Sequence, residues 1–132
     1  MHKTQRLCLT IIFGLSTTTP ALAEDLFIIS HPNIVLTSED IREVFLGEKQ
    51  FAGSAKLVPV DNSTAQGTFL SKVVKLDTAR YNTTWAKKGF RDGLSQPATK
   101  YGDAEVINFV KSTPGAVGYV TTQPRDVSVI KK

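Results

Sequence analysis

The residue types that most often carry enzyme chemistry are sparse in this sequence. His31 is the only histidine beyond the first two dozen residues, and Cys8, the single cysteine, falls inside them. A multi-histidine zinc site is therefore excluded, and a serine triad would depend wholly on His31. Neither a Gly-x-Ser-x-Gly elbow nor a Walker-type glycine loop occurs. His31-Pro32-Asn33 reads as a turn, and no catalytic residue, metal or cofactor is expected. Two polar groupings remain. Asp61-Asn62-Ser63-Thr64 is rich in side chains that cap helices, and Arg80, Lys87, Lys88 and Arg91 gather positive charge. The first reads as helix capping and the second as a solvated face, unless a ligand or an acidic partner uses them.

These groups must be positioned by elements whose boundaries the residue pattern marks. Asp25 to Ser30 is a short continuous apolar run, the pattern of a strand buried on both faces. Thr37-Ser38-Glu39-Asp40 opens a helix whose Ile41, Val44 and Phe45 share one face, with Gly47 as its stop. Residues 48 to 56 form a surface connection anchored by Phe51. Leu57 to Val60 is a second strand, and Pro59 implies an edge or a strand start. A helix carrying Phe69, Leu70, Val73 and Val74 follows the polar turn. Asp77 caps a third helix through about Lys88, with Tyr81 and Trp85 as its core pair and Gly89 closing it. Residues 91 to 100 read as a loop. Asp103 starts a fourth helix with Val106, Ile107 and Val110, Thr113-Pro114-Gly115 is a turn, and Ala116 to Val120 and Val127 to Ile130 are strands.

The amino terminus sets the compartment. Lys3 and Arg6 precede the apolar run Leu7 to Leu15, which is shorter than the ~20 residues that span a bilayer. Ala21-Leu22-Ala23 then supplies the small residues read by a signal peptidase. Residues 1–23 are expected to be a cleaved signal peptide and residues 24–132 one periplasmic domain, not stably inserted in the membrane. Two of the sixteen bases leave with the signal while all twelve acids stay, so the mature balance is 14 − 12 = +2. That small surplus argues against a nucleic-acid surface. Without a thiol, the mature chain must be held by its packed core alone.

Three segments in order carry a resemblance: Leu36 to Glu48 with its Ile-x-x-Val-Phe-Leu-Gly, the turn from Val60 to Phe69, and Thr113-Pro114-Gly115-Ala116-Val117-Gly118-Tyr119-Val120. Together they resemble the phosphate-binding proteins of bacterial ABC transporters, PstS-like members of the type 2 periplasmic-binding fold. The resemblance runs from about Asp25 to Val120. It implies an α/β fold, a single three-layer lobe with about four strands flanked by about four helices. It also implies a transport-related solute-binding protein that holds phosphate or another small oxyanion weakly, at a helix N-terminus formed by Asn62, Ser63, Thr64, Gly67 and Thr68. The sequence departs from the family pattern at this turn: Val60-Asp61 stands where an arginine would precede it, and Thr-Ala-Gln-Gly-Thr replaces Gly-Ser-Gly-Thr. One lobe is also too little chain for a closed cleft, so a second copy or a transporter or envelope partner would complete it. A ligand-free interaction module of the cell envelope is the alternative.

Overall fold

A computed structural model describes residues 25–130; residues 1–24, which include the expected signal peptide, and the last two lysines lie outside the described residues. Strands β1 (Phe27–Ser30), β4 (Val58–Asn62), β5 (Ala98–Lys100), β6 (Ala116–Val120) and β7 (Ser128–Ile130) form one sheet, ordered β5-β4-β6-β1-β7. β2 (Phe51–Ala52) and β3 (Ala55–Lys56) make a separate small hairpin. β4 runs parallel to both β5 and β6, whereas β1 is antiparallel to β6 and β7. The last strand thus closes onto the first, which ties both ends of the described chain into one domain.

Alternation along the central strands explains the layering. Ile28, Val117 and Tyr119 enter one buried cluster, while Ile29, Ala116 and Val120 enter another. Successive strand side chains point to opposite faces, so both faces of this sheet must be covered. α1 (Asp40–Phe45), α2 (Gln66–Phe69) with its π-helical continuation Leu70–Val74, and α3 (Thr78–Asp92) supply the first cover through Ile41, Phe45, Phe69, Val74, Tyr81 and Trp85. α4 (Asp103–Ser112) supplies the second through Val106 and Val110. At Gly118, β6 packs closely against α4. A Cβ there would come within 2.7 Å of Val106 Cγ1.

Several local expectations need correction. The segment read as a loop from 91 to 100 contains the fifth strand, β5, and the connection from 48 to 56 contains the β2–β3 hairpin. Phe51 does not anchor it by burial; it is 51% exposed, with the Lys56 ammonium over its ring. Gly89 lies inside α3, which ends at Asp92 because Gly93 takes the left-handed conformation and returns its N–H to the Gly89 carbonyl. No hydroxyl caps α1; instead the Asp40 carboxylate accepts the Thr37 N–H at 2.9 Å. That bond is the main reason the Asp40 pKa lies below its ordinary value. Asp77 caps α3 as expected, accepting the Arg80 N–H at 2.8 Å. Gly115 has φ +83°, and any Cβ at this position would run into the Lys56 carbonyl, so the Pro-Gly turn admits glycine alone.

Candidate functional site

The turn from Asn62 to Thr68 leaves the carboxyl end of β4. In open sheets, ligands settle outside the carboxyl ends of parallel strands, and here β4 has parallel neighbours on both sides. The turn takes its shape from Asn62, which is fully buried. Its Nδ2 donates to the Tyr119 carbonyl at 3.0 Å and to Asp103 Oδ1 at 2.9 Å. Its Oδ1 accepts the Thr64 N–H at 3.1 Å and the Thr64 hydroxyl at 2.8 Å. With both ends of the amide engaged, Asn62 shapes the turn from beneath.

The remaining candidates lie above it. Ser63 and Thr64 are exposed, and the Ser63 N–H donates to the Lys100 carbonyl at 2.9 Å, extending the β4–β5 pairing by one rung. Gly67 is exposed, with open space where a Cβ would stand, and Thr68 is half-buried. Neither Ser63 nor Thr64 caps the helix as the sequence suggested. The N-cap is Ala65, which makes no side-chain bond.

Two acids organise this end of the sheet. Asp103, in the first turn of α4, was expected only to start that helix. Its carboxylate also accepts the N–H and hydroxyl groups of Thr121 and Thr122, at 2.9–3.1 Å, and the Asn62 amide. Burial alone would raise its pKa, yet bonds from Thr121, Asn62 and Thr122 together hold it below the ordinary 3.8. The ends of β4 and β6 and the start of α4 are thereby fastened together.

Asp61 lies on the inner side of the same strand end and has no measurable exposure. Its Oδ2 accepts the Tyr81 hydroxyl at 2.8 Å and its Oδ1 accepts the Tyr119 hydroxyl at 2.7 Å. Burial pushes the Asp61 pKa above 3.8, against the opposing pull of the Tyr119, Tyr81 and Gln66 hydrogen bonds. Burial and the nearby carboxylate push both tyrosine hydroxyls up as well, so both remain protonated donors. Asp61 therefore puts a buried acid behind the turn.

The other sequence candidates stand apart from this turn. His31 lies at the end of β1, its Nδ1 within 2.7 Å of Asn33 Oδ1 and accepting the Asn33 N–H at 3.0 Å, the geometry of a local turn. The basic side chains of α3 are dispersed in role: Arg91 pairs with Asp92 and Lys88 with Glu48. Among the described residues, no group of three or more His, Cys, Asp or Glu side chains is placed to hold a metal ion. No helix among them is long and apolar enough to cross a membrane.

The fold has solved counterparts. A structure described as a phosphate ABC transporter substrate-binding protein with bound phosphate, from Clostridium perfringens, matches 81% of this chain at a TM-score of 0.53 and 18% identity. PstS from Borrelia burgdorferi matches 73% of the chain at a TM-score of 0.49 and 18% identity. The matches cover 44% and 40% of those proteins, so this chain spans less than half their length. No protein-family model matches the sequence, and a search of curated proteins finds no match. The chain thus shares the α/β fold of part of the Clostridium perfringens structure.

Proposed function

We propose that this chain is exported to the periplasm, loses residues 1–23, and acts as a single-lobe solute-binding domain holding phosphate or a related oxyanion weakly. The observation that carries this reading is the Ser63–Thr68 turn at the carboxyl end of β4, which exposes Ser63, Thr64 and Gly67 and whose shape is set by the buried Asn62. The Ser63 hydroxyl and backbone N–H groups at the helix start are its donors, while the Thr64 hydroxyl already donates to Asn62 Oδ1. Their strength is limited. A site open to water on one side exchanges solvent hydrogen bonds for protein ones at ~0.5–1.5 kcal/mol each, and Asp61 adds a nearby negative charge whenever it is ionised. Monomer affinity on the order of millimolar, about −4 kcal/mol, follows. Tighter binding requires a second surface, from another copy or from a transporter or envelope partner.

Calorimetric titration of the exported protein with phosphate, alongside its mass in solution, tests the proposal. The expected result is an intact mass beginning at Glu24 and millimolar binding abolished by the Ser63→Ala, Thr64→Ala pair. Micromolar binding by a strict monomer would refute the open-site argument, and binding indifferent to the pair would move the site elsewhere.

One observation favours a second reading. Asn62 and Thr64 satisfy each other, and a buried acid stands behind them. A lobe built this way serves equally as a ligand-free interaction module of the envelope. Absence of any oxyanion binding at tens of millimolar, well above the ~1 mM scale, would make that the leading interpretation.

A further inference from the structure

The amino end of β4, opposite to the oxyanion turn, borders a cleft of about 440 Å³. Its origin lies in the strand lengths. β5 begins only opposite Val60, so Val58 and Pro59 have β6 on one side and no strand on the other. The Val58 N–H is directed to the Gly115 carbonyl on the β6 side, so the next residue faces the open edge, and that residue is a proline. Having no N–H to donate, Pro59 cannot support an added strand there. The loop from Gly93 to Pro97 arches past this edge and leaves a space that reaches from Trp85 on one face of the sheet to Phe109 on the other.

We propose that this cleft binds a small amphipathic anion, a monocarboxylate with an aliphatic or aromatic body. The volume falls in the ~300–1,000 Å³ range of small-molecule sites. Trp85, Pro59, Phe109 and neighbouring aliphatic side chains give it apolar walls. The only charged side chains lining it are Lys49 and Lys56. Both come from the same small feature, for Lys56 lies in β3 and Lys49 precedes Gln50, whose carbonyl accepts the Leu57 N–H. Positive charge is therefore concentrated toward the hairpin and apolar surface toward Trp85, which orients a ligand with its carboxylate at the lysines. Lys56 is weakly engaged over the Phe51 ring at 5.6 Å, and Lys49 feels the charge of Asp40, whose carboxylate is bonded to Thr37. Neither lysine has an acid beside it within the lining. This site is separate from the Ser63–Thr68 turn, and its occupant differs from inorganic phosphate in needing an apolar body.

Trp85 is the only tryptophan in the sequence, so its emission reports on the cleft directly. The exported protein is titrated with octanoate, octanamide and octylammonium, followed by Trp85 fluorescence. Octanoate is expected to give a saturable change below its micellar concentration, with octylammonium weaker by about tenfold or more, the scale of one charge-assisted bond. The Lys49→Gln, Lys56→Gln pair, at surface positions where stability should be unaffected, is expected to weaken octanoate by about tenfold and leave octanamide unchanged. Equal binding of all three probes, an octanoate response that survives the double substitution, or the lack of a saturable response would overturn the proposal. Displacement of octanoate by millimolar inorganic phosphate would overturn it too, since the apolar body would then not be what the cleft selects.

Discussion

Asp61→Ala is expected to destabilise the fold by about 2–5 kcal/mol, the range for stripping a buried polar network of its shared acceptor. Two tyrosine hydroxyls converge on this carboxylate, and alanine would leave both in the core without their acceptor. Asp61→Asn separates geometry from charge. The amide keeps the volume and one carbonyl oxygen, and removes the titration. The sign of the pH effect follows from the direction of the shift. With its folded pKa raised above 3.8, Asp61 takes up a proton more readily in the folded state than in the unfolded one. Its contribution to stability is fully present below pH 3.8 and is lost as pH rises through the folded value. Asp40 and Asp103 act in the opposite sense, since their lowered pKa values give stability that is lost as pH falls through them. Subtracting the Asn variant from wild type cancels those two. The stability of Asp61→Asn relative to wild type should therefore climb from about pH 3 and level off above the folded pKa. Urea midpoints measured from pH 3 to 8 check this, and a flat difference would mean that the Asp61 pKa is the same in the folded and unfolded states.

The same acid shows where residue patterns stop being informative. Ile41, Val44 and Phe45 on α1, Tyr81 and Trp85 on α3, and Val106 and Val110 on α4 are all buried where their helical spacing placed them, because amphipathic periodicity is a local property. β1 was legible for the same reason, its unbroken apolar run matching burial on both faces. β5 was not: Ala98-Thr99-Lys100 has no strand signature, and only its parallel pairing with β4 makes it one. Pro59 signalled an edge or a strand start, and it is the second residue of β4, an interior strand whose one open edge lies beside its first residues. At the turn from Ser63 to Thr68, the sequence marked the exposed hydroxyls and noted Asp61 as an opposing charge. What it did not show is that the partners of Asp61 come from positions 20 and 58 residues away, or that Asp103 reaches Thr121 and Thr122. Hydrogen bonds across such separations depend on tertiary placement, and no local spacing encodes them.

Trp85→Ala is expected to cost about 3–5 kcal/mol, as truncation of a buried tryptophan does. The indole is 4% exposed, and its Nε1 donates to the Phe45 carbonyl at 3.1 Å, fastening α3 to the end of α1. It also sets the local backbone. Gly47 has φ +74°, and a Cβ there would lie 2.7 Å from Trp85 Cη2, so the ring packs directly onto the turn that ends α1. Three losses then combine: buried apolar area, a satisfied carbonyl, and the surface against which that turn rests. One effect moderates the sum. Trp85 also lines the cleft beside β4, so water can enter part of the space that alanine leaves, and the Phe45 carbonyl can recover a solvent hydrogen bond. The expected cost therefore lies toward the lower end of the range. Trp85→Phe retains a ring and forfeits the hydrogen bond, and about 1–2 kcal/mol is expected for it. Far-ultraviolet circular dichroism in urea measures both, since the variants lack the fluorophore. An unchanged midpoint for Trp85→Ala would show that α3 does not pack on α1 through this ring, whereas equal losses for Ala and Phe would assign the whole effect to the Nε1 hydrogen bond and none to packing.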